Sequence, residues 1–286
     1  MKISHTVVFL AGLGFACGPQ AELETDAETA AEPLPESAEG PKPDPAHLSA
    51  GIVSIPERWV SDWDTTANLD SPAFWAGGDQ AWVITTAKGT HDLWVHDAGT
   101  GELLRRVGSQ GAGPGQFNYP NGIAVVDDLL LVIERDNHRV QMLSLPGFEP
   151  LGWFGENDLL RPYGVALQPA GEGWDVFITD DYGNELDPPV GEAPTGDFSR
   201  RVKKFRIGTA DVGSPEGHLI MTFGEQEGEG ALRVVESIQV DEENDVLLVA
   251  DEFAFELELY GLDGRYRGRT IAQGLFRHGD PEGIML

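Results

Sequence analysis

Charged residues recur at one place in this sequence, directly after short apolar runs. Lys88 follows residues 82–86, Glu134-Arg135 follows 129–133, Asp180-Asp181 follows 177–179, and Asp251-Glu252 follows 247–250. Carboxylates brought together from several such turns supply the oxygen ligands of a hard cation such as Ca2+, which takes about six to eight. Lys88 and Arg135 beside them would grip phosphate oxygens. The plainer alternative is that polar turn residues repeat because the fold repeats. Other chemistries are not signalled. The chain has no nucleophile elbow and no Gly-rich phosphate loop, and its seven His residues show no metal-ligand spacing.

Turns from distant parts of a chain converge only if a repeated fold carries them. Four stretches say nearly the same thing: Asn121-Gly122-Ile123-Ala124-Val125, Tyr163-Gly164-Val165-Ala166-Leu167, Glu236-Ser237-Ile238-Gln239-Val240 and Glu282-Gly283-Ile284-Met285-Leu286. Ser71-Pro72-Ala73-Phe74-Trp75 is a looser copy. Counted from Gly122, the spacings are 42, 73 and 46 residues. Repeats of roughly 40–50 residues made of short strands are how a β-propeller reads in sequence. Within each repeat an apolar strand, a charged turn and a further strand follow the Gly-Ile-Ala-like strand, as in an antiparallel meander. No stretch sustains helical periodicity, so the expected fold class is all-β. The long spacing is explained by polar, Gly- and Pro-rich insertions at 183–200 and 208–218. Four blade-length units lie between about 70 and 274, and residues 282–286 begin a fifth. Residues 59–63 could add one closing strand.

The first 48 residues read differently. Lys2 and the apolar run 6–13 have the length of a signal peptide, too short to span a membrane. They lead to Cys17, the single cysteine, which suggests a lipoprotein-type processing site and a lipid anchor; an ordinary signal peptide is the alternative. Residues 18–48 interleave Pro with Asp and Glu and should form a disordered tether. The expected organisation is therefore 1–17 leader, 18–48 tether and 49–286 propeller. Export to the periplasm, outer membrane or medium follows. The net charge of −29 disfavours nucleic acid and anionic membranes as partners. A single propeller of this size is expected to act as a monomer.

Several ordered segments resemble the β-propeller phytases, secreted calcium-dependent hydrolases of myo-inositol hexakisphosphate. They are Asp70-Ser71-Pro72-Ala73-Phe74-Trp75, Ile84-Thr85-Thr86-Ala87-Lys88, Leu93-Trp94-Val95-His96-Asp97, Arg161-Pro162-Tyr163-Gly164, Val235-Glu236-Ser237-Ile238, Val249-Ala250-Asp251-Glu252 and Asp280-Pro281-Glu282-Gly283-Ile284. The resemblance covers about residues 60–286. It implies that Lys88, Arg135 and Tyr163 hold substrate phosphates. It also implies that Glu236, Asp251, Glu252, Asp280 and Glu282, with Asp70, lie on or near calcium ions. Glu236 would then serve both catalysis and metal. The implied partner is phytate or another phosphorylated small molecule as its calcium complex. The family has six blades, of which this sequence would cover four to five, incomplete at its C-terminal end. It differs from the family pattern at Asp70-Ser71, where paired Asp is usual, and at Asp181, where a basic residue is usual.

A second resemblance leads elsewhere. Glu134-Arg135-Asp136-Asn137-His138-Arg139-Val140-Gln141 looks like an NHL repeat, a module that often binds proteins or glycans without catalysis. The block appears clearly once, while the other blades carry acidic turns. A lactonase-type propeller with one central metal is a third reading, but its ligand set is not assignable from the sequence.

Overall fold

The computed structural model describes residues 8–10, 57–61, 64–181, 195–208, 216–271, 281 and 283–286. Among them there is no helix, and four antiparallel four-stranded sheets follow one another along the chain. A short strand, β1 (Val8–Leu10), precedes them. The first sheet is β2 (Leu69–Gly77), β3 (Gln80–Ala87), β4 (Asp92–Asp97) and β5 (Leu103–Val107). The second is β6 (Pro120–Val126), β7 (Leu129–Glu134), β8 (Arg139–Ser144) and β9 (Glu149–Phe154). The third is β10 (Pro162–Ala170), β11 (Gly173–Asp180), β12 (Val202–Gly208) and β13 (Gly217–Phe223). The fourth is β14 (Val235–Asp241), β15 (Val246–Asp251), β16 (Glu256–Gly261) and β17 (Tyr266–Ile271). Each is an up-and-down meander in sequence order, which is the blade of a propeller.

The apolar runs become strands buried on both faces. In β7, Leu130 and Val132 pack towards the first blade with Ile84 and Leu93. Leu129, Leu131 and Ile133 pack towards the third blade with Val176, Ile178 and Phe205. Period-two alternation thus sends neighbours into two different interfaces, and a continuous apolar run is the result. A third cluster, with Phe177, Ile238 and Val249, joins the third and fourth blades.

The Gly-Ile-Ala-like segments form the first strand of each blade, and these strands meet in order, β2 with β6, β6 with β10 and β10 with β14. They are the innermost strands, so the charged turns follow the second strand rather than the inner one. A fifth such segment forms β18 (Gly283–Met285), which lies against β14. It pairs antiparallel with β1, so the apolar run 6–13 places three residues, Val8–Leu10, in a strand beside it. The described residues of 57–61 form no strand, contrary to the closing strand expected there. Trp59 instead packs on the first blade, its indole N–H donating to the Ala98 carbonyl at 3.1 Å.

Candidate functional site

Every inner strand carries a register shift at the same place: between Leu69 and Pro72, Pro120 and Ile123, Pro162 and Val165, and Val235 and Ile238. A bulge places an extra residue on one strand and re-aims its side chain. The first residue of each bulge is Asp70, Asn121, Tyr163 or Glu236, one from each blade. The second is Ser71, Gly122, Gly164 or Ser237. Its small size has a reason: a Cβ on Gly122 would sit 2.4 Å from the Tyr163 carbonyl oxygen, and one on Gly164 would sit 2.3 Å from that of Glu236. The inner strands therefore approach backbone to backbone at the bulges.

A second set of positions is fixed by the turn after the second strand. The amides of Lys88, Arg135, Asp181 and Glu252 donate to the carbonyls of Asn68, Tyr119, Arg161 and Val234, at 3.1, 3.1, 3.0 and 2.9 Å. These equivalent bonds hold four equivalent side chains beside the four bulge residues.

Six of the sequence-selected residues come together. Lys88 Nζ lies 2.9 Å from Asp70 Oδ1 and donates to the Tyr163 hydroxyl at 3.2 Å. Glu236 is hydrogen-bonded to both Tyr163 and Glu252. Arg135, from the second blade, stacks over the Tyr119 ring at 3.5 Å, bonds Asp136 at 2.7 Å, and is electrostatically coupled to Tyr163. The chain Asp70–Lys88–Tyr163–Glu236–Glu252 thus runs across the first, third and fourth blades, with Arg135 beside it.

The electrostatics of this cluster are those of a half-closed polar site. Burial pushes the Glu236 carboxyl up to about 7, and the neighbouring Asp70 charge adds to it. The Tyr163 phenol is also raised, by burial first and then by Glu236 and Asp70. Burial opposes the charged form of Lys88, but Asp70 outweighs it and the ammonium is held above its ordinary value.

Asp251 is placed elsewhere. Its carboxylate accepts the amides of Arg233 (2.7 Å), Val234 (3.2 Å), Phe253 (3.0 Å) and Ala254 (3.2 Å), which closes the turn of its own blade. The structure does not bring it to the mouth as a metal ligand, because backbone donors take its lone pairs. Asp180 likewise accepts from Leu160 and Arg161, and Glu134 from Asn118. So the first residue of each pair closes the turn, while Arg135 and Glu252, the second residues of two of the pairs, join the cluster. Asp181 is bonded by Arg201 at 3.1 Å and Arg161 at 3.5 Å. Asp280 and Glu282 lie outside the described residues.

Sequence reasoning missed two residues. Asn121 is fully buried at the bulge position of the second blade, and neither of its side-chain polar atoms has a hydrogen-bond partner. The signal was present: Asn121 is the middle residue of Pro-x-Gly, as Tyr163 is. Tyr119, the aromatic platform under Arg135, has a positive φ of 53° and is held by its amide donating to His91 Nδ1 at 3.0 Å. Its location before a Pro gave no sign of this.

Among the described residues, no three His, Cys, Asp or Glu side chains form a metal-holding group by themselves.

An NHL repeat model matches residues 117–142, which span β6, β7 and the start of β8. No curated protein matches the chain. Among solved structures, a computationally designed protein, Ika4, is similar at 13% identity and a TM-score of 0.41, over 73% of this chain and 99% of that one. Hydrazine synthase from Kuenenia stuttgartiensis is similar at 12% identity and a TM-score of 0.48, over 77% of this chain and 53% of that one. The four consecutive four-stranded meanders make this an all-β protein of propeller blades, and an NHL repeat is detected in it at 117–142.

Proposed function

We propose that the protein is a calcium-dependent phosphomonoester hydrolase acting on phytate or a similarly polyphosphorylated small molecule. The observation that carries this reading is the meeting of Asp70, Lys88, Arg135, Tyr163, Glu236 and Glu252, contributed by four blades, at one place. Lys88 and Arg135 present ammonium and guanidinium donors to phosphate oxygens, and Tyr163 adds a phenol. The stacking of Arg135 on Tyr119 fixes the plane of its guanidinium before a ligand arrives.

The donor set suits a hard cation shared with phosphate rather than enclosed by protein. Asp70, Glu236 and Glu252 offer carboxylate oxygens, and the unpartnered Asn121 amide offers another. When bound, calcium neutralises phosphate charge and lowers the pKa of a coordinated water. The protein's own share is to orient the ester against Lys88, Arg135 and Tyr163 and to hold the Asp70, Glu236 and Glu252 carboxylates directly beside them.

Phosphate release from calcium phytate, with and without chelator, tests this reading. Release that chelator stops, and that Lys88→Met removes while its far-UV spectrum stays that of the folded protein, supports it. No release with phytate or p-nitrophenyl phosphate sinks it. The second reading is a non-catalytic NHL-type binding propeller, with which the NHL match at 117–142 is compatible. Export and anchoring through Cys17 belong to the same proposal, and the mass of the mature N-terminal peptide checks them.

A further inference from the structure

Granting that the mouth takes phosphate, we propose that Tyr119 is a further anion-binding residue there, and that His91 of the first blade is the residue that positions it. Tyr119 is half-buried and lies two residues before the bulge residue Asn121. Its phenol is electrostatically coupled to both Lys88 and Arg135, the two cations of the cluster. Among the described residues, no group hydrogen-bonds its hydroxyl. Asp136 holds Arg135 through Nε at 2.7 Å and Nη2 at 3.3 Å, and no described residue bonds Nη1. A phenol O–H, a guanidinium edge and the Lys88 ammonium are donors without acceptors of their own, suited to the oxygens of one anionic group.

The backbone shows that Tyr119 is set apart from its counterparts. In the third blade Asp180 accepts two consecutive amides, Leu160 at 3.0 Å and Arg161 at 2.6 Å. In the fourth, Asp251 does the same with Arg233 and Val234. The second blade breaks this pattern. Glu134 accepts the first amide of the pair, Asn118, at 3.2 Å, and the second, Tyr119, donates to His91 Nδ1 at 3.0 Å instead. Tyr119 accordingly takes a φ of 53° directly before Pro120. A bulky residue in that conformation is an outlier, and it persists where the surroundings over-determine it. Here His91 holds the amide, the Arg135 amide holds the carbonyl at 3.1 Å, and the Arg135 guanidinium holds the ring.

His91 does more than repeat the turn. It sits three residues after Lys88, with a φ of 56° and its own amide on the Ala87 carbonyl at 2.9 Å. His138 and Phe255 occupy the same place after Arg135 and Glu252, each with a φ of 55°. His138 Nδ1 meets the Leu160 carbonyl at 2.6 Å, so there the ring nitrogen must donate. Phe255 has no ring nitrogen to offer. Only at His91 does this position present an acceptor to the next blade, and the amide it accepts is the one that aims Tyr119. The first blade therefore sets the direction of a side chain in the second, beside the cations that both blades contribute.

The test is calorimetric titration of the full chain with phytate in calcium-containing buffer. Tyr119→Phe keeps the ring under Arg135 and removes only the hydroxyl; it should weaken binding roughly tenfold, about the worth of one hydrogen bond to a charged group. His91→Gly accepts the positive φ and removes the acceptor, and should weaken binding at least as much. His91→Asn places a side-chain oxygen near where Nδ1 stood, tolerates the same φ, and should recover most of the affinity. Full affinity in Tyr119→Phe overturns the phenol contact. Full affinity in His91→Gly, or an equal loss in His91→Asn and His91→Gly, overturns the positioning. Lys88→Met separates the two levels: if it weakens binding while Tyr119→Phe does not, the phosphate site stands without Tyr119. No binding of phytate by the unaltered chain overturns both the phosphate site and the role of Tyr119 in it.

Discussion

Glu134 and Arg135 are neighbours in one turn, yet they belong to opposite kinds of electrostatic environment. Glu134 is fully buried and fully answered. Arg139 Nε reaches it at 2.7 Å, Gln141 Nε2 at 3.0 Å, the Asn118 amide at 3.2 Å, and Asn137 bonds it too. Arg139 also donates to the Ala112 carbonyl at 2.8 Å and stacks over Trp153 at 4.3 Å. Burial pushes the Glu134 carboxyl up while Arg139 pulls it down. Arg135, one residue on, lies beside a cluster in which Glu236 is raised to about 7, and the Asn121 amide at the bulge of its own blade has no partner. The difference teaches how to separate architecture from function in a repeated turn. Where every lone pair is matched by the chain itself, the charge holds the blade. Where the chain leaves groups unmatched, as at the Asn121 amide, their partners are not supplied by the blade itself.

The largest expected effect would break this comparison at its closed end. Arg139→Met leaves Glu134 buried without its charge partner, and should destabilise by about 3–5 kcal/mol in urea unfolding. A loss below about 1 kcal/mol would show that the network is not structural. At the open end, Lys88→Met should lower phosphate release about 100-fold, as loss of one electrostatic contact to a transition state does, with the fold retained and Tm lowered because Asp70 loses its charge partner. Glu236→Ala should likewise cost far more activity than Asp263→Ala, which lies in an exposed hairpin turn. Equal losses would mean the site is elsewhere. Next in size, calcium at about 100 times its Kd should stabilise by about 2.7 kcal/mol, and chelator should remove that gain in a melting experiment. An unchanged melting curve would count against the metal. The smallest effect sharpens the contrast most. Asn121→Leu removes an unmatched buried amide and should shift stability by less than about 1 kcal/mol, in either direction, while lowering calcium affinity.

Much of this was readable in the residues. The five copies of the inner-strand motif gave the blades, and the apolar runs gave strands buried on both faces. The division of labour within Glu134-Arg135, Asp180-Asp181 and Asp251-Glu252 was not readable. Adjacent residues in a turn point in different directions, and only the backbone path shows which one meets the amides of its own blade. Asp251 was lost to the turn for that reason. Asn121 was overlooked because a neutral amide does not stand out among carboxylates, although its place in Pro-x-Gly is that of Tyr163. Trp59 misled as a strand former, since its contacts with Gly101 and Ala98 hold it as a coil against the first blade.

The Thr86 and Thr179 hydroxyls have a consequence beyond holding blades together. Thr86 Oγ1 accepts the Ser71 amide at 3.1 Å and donates to the Asn121 carbonyl of the next blade at 2.6 Å. Thr179 Oγ1 accepts the Gly164 amide at 2.7 Å and donates to the Glu236 carbonyl at 2.5 Å. Both grip main chain and leave the side chains of Asn121 and Glu236 untouched. The joint between blades is therefore indifferent to what the bulge residue is. Evolution can exchange Asp, Asn, Tyr or Glu around the channel one blade at a time, retuning chemistry without renegotiating assembly.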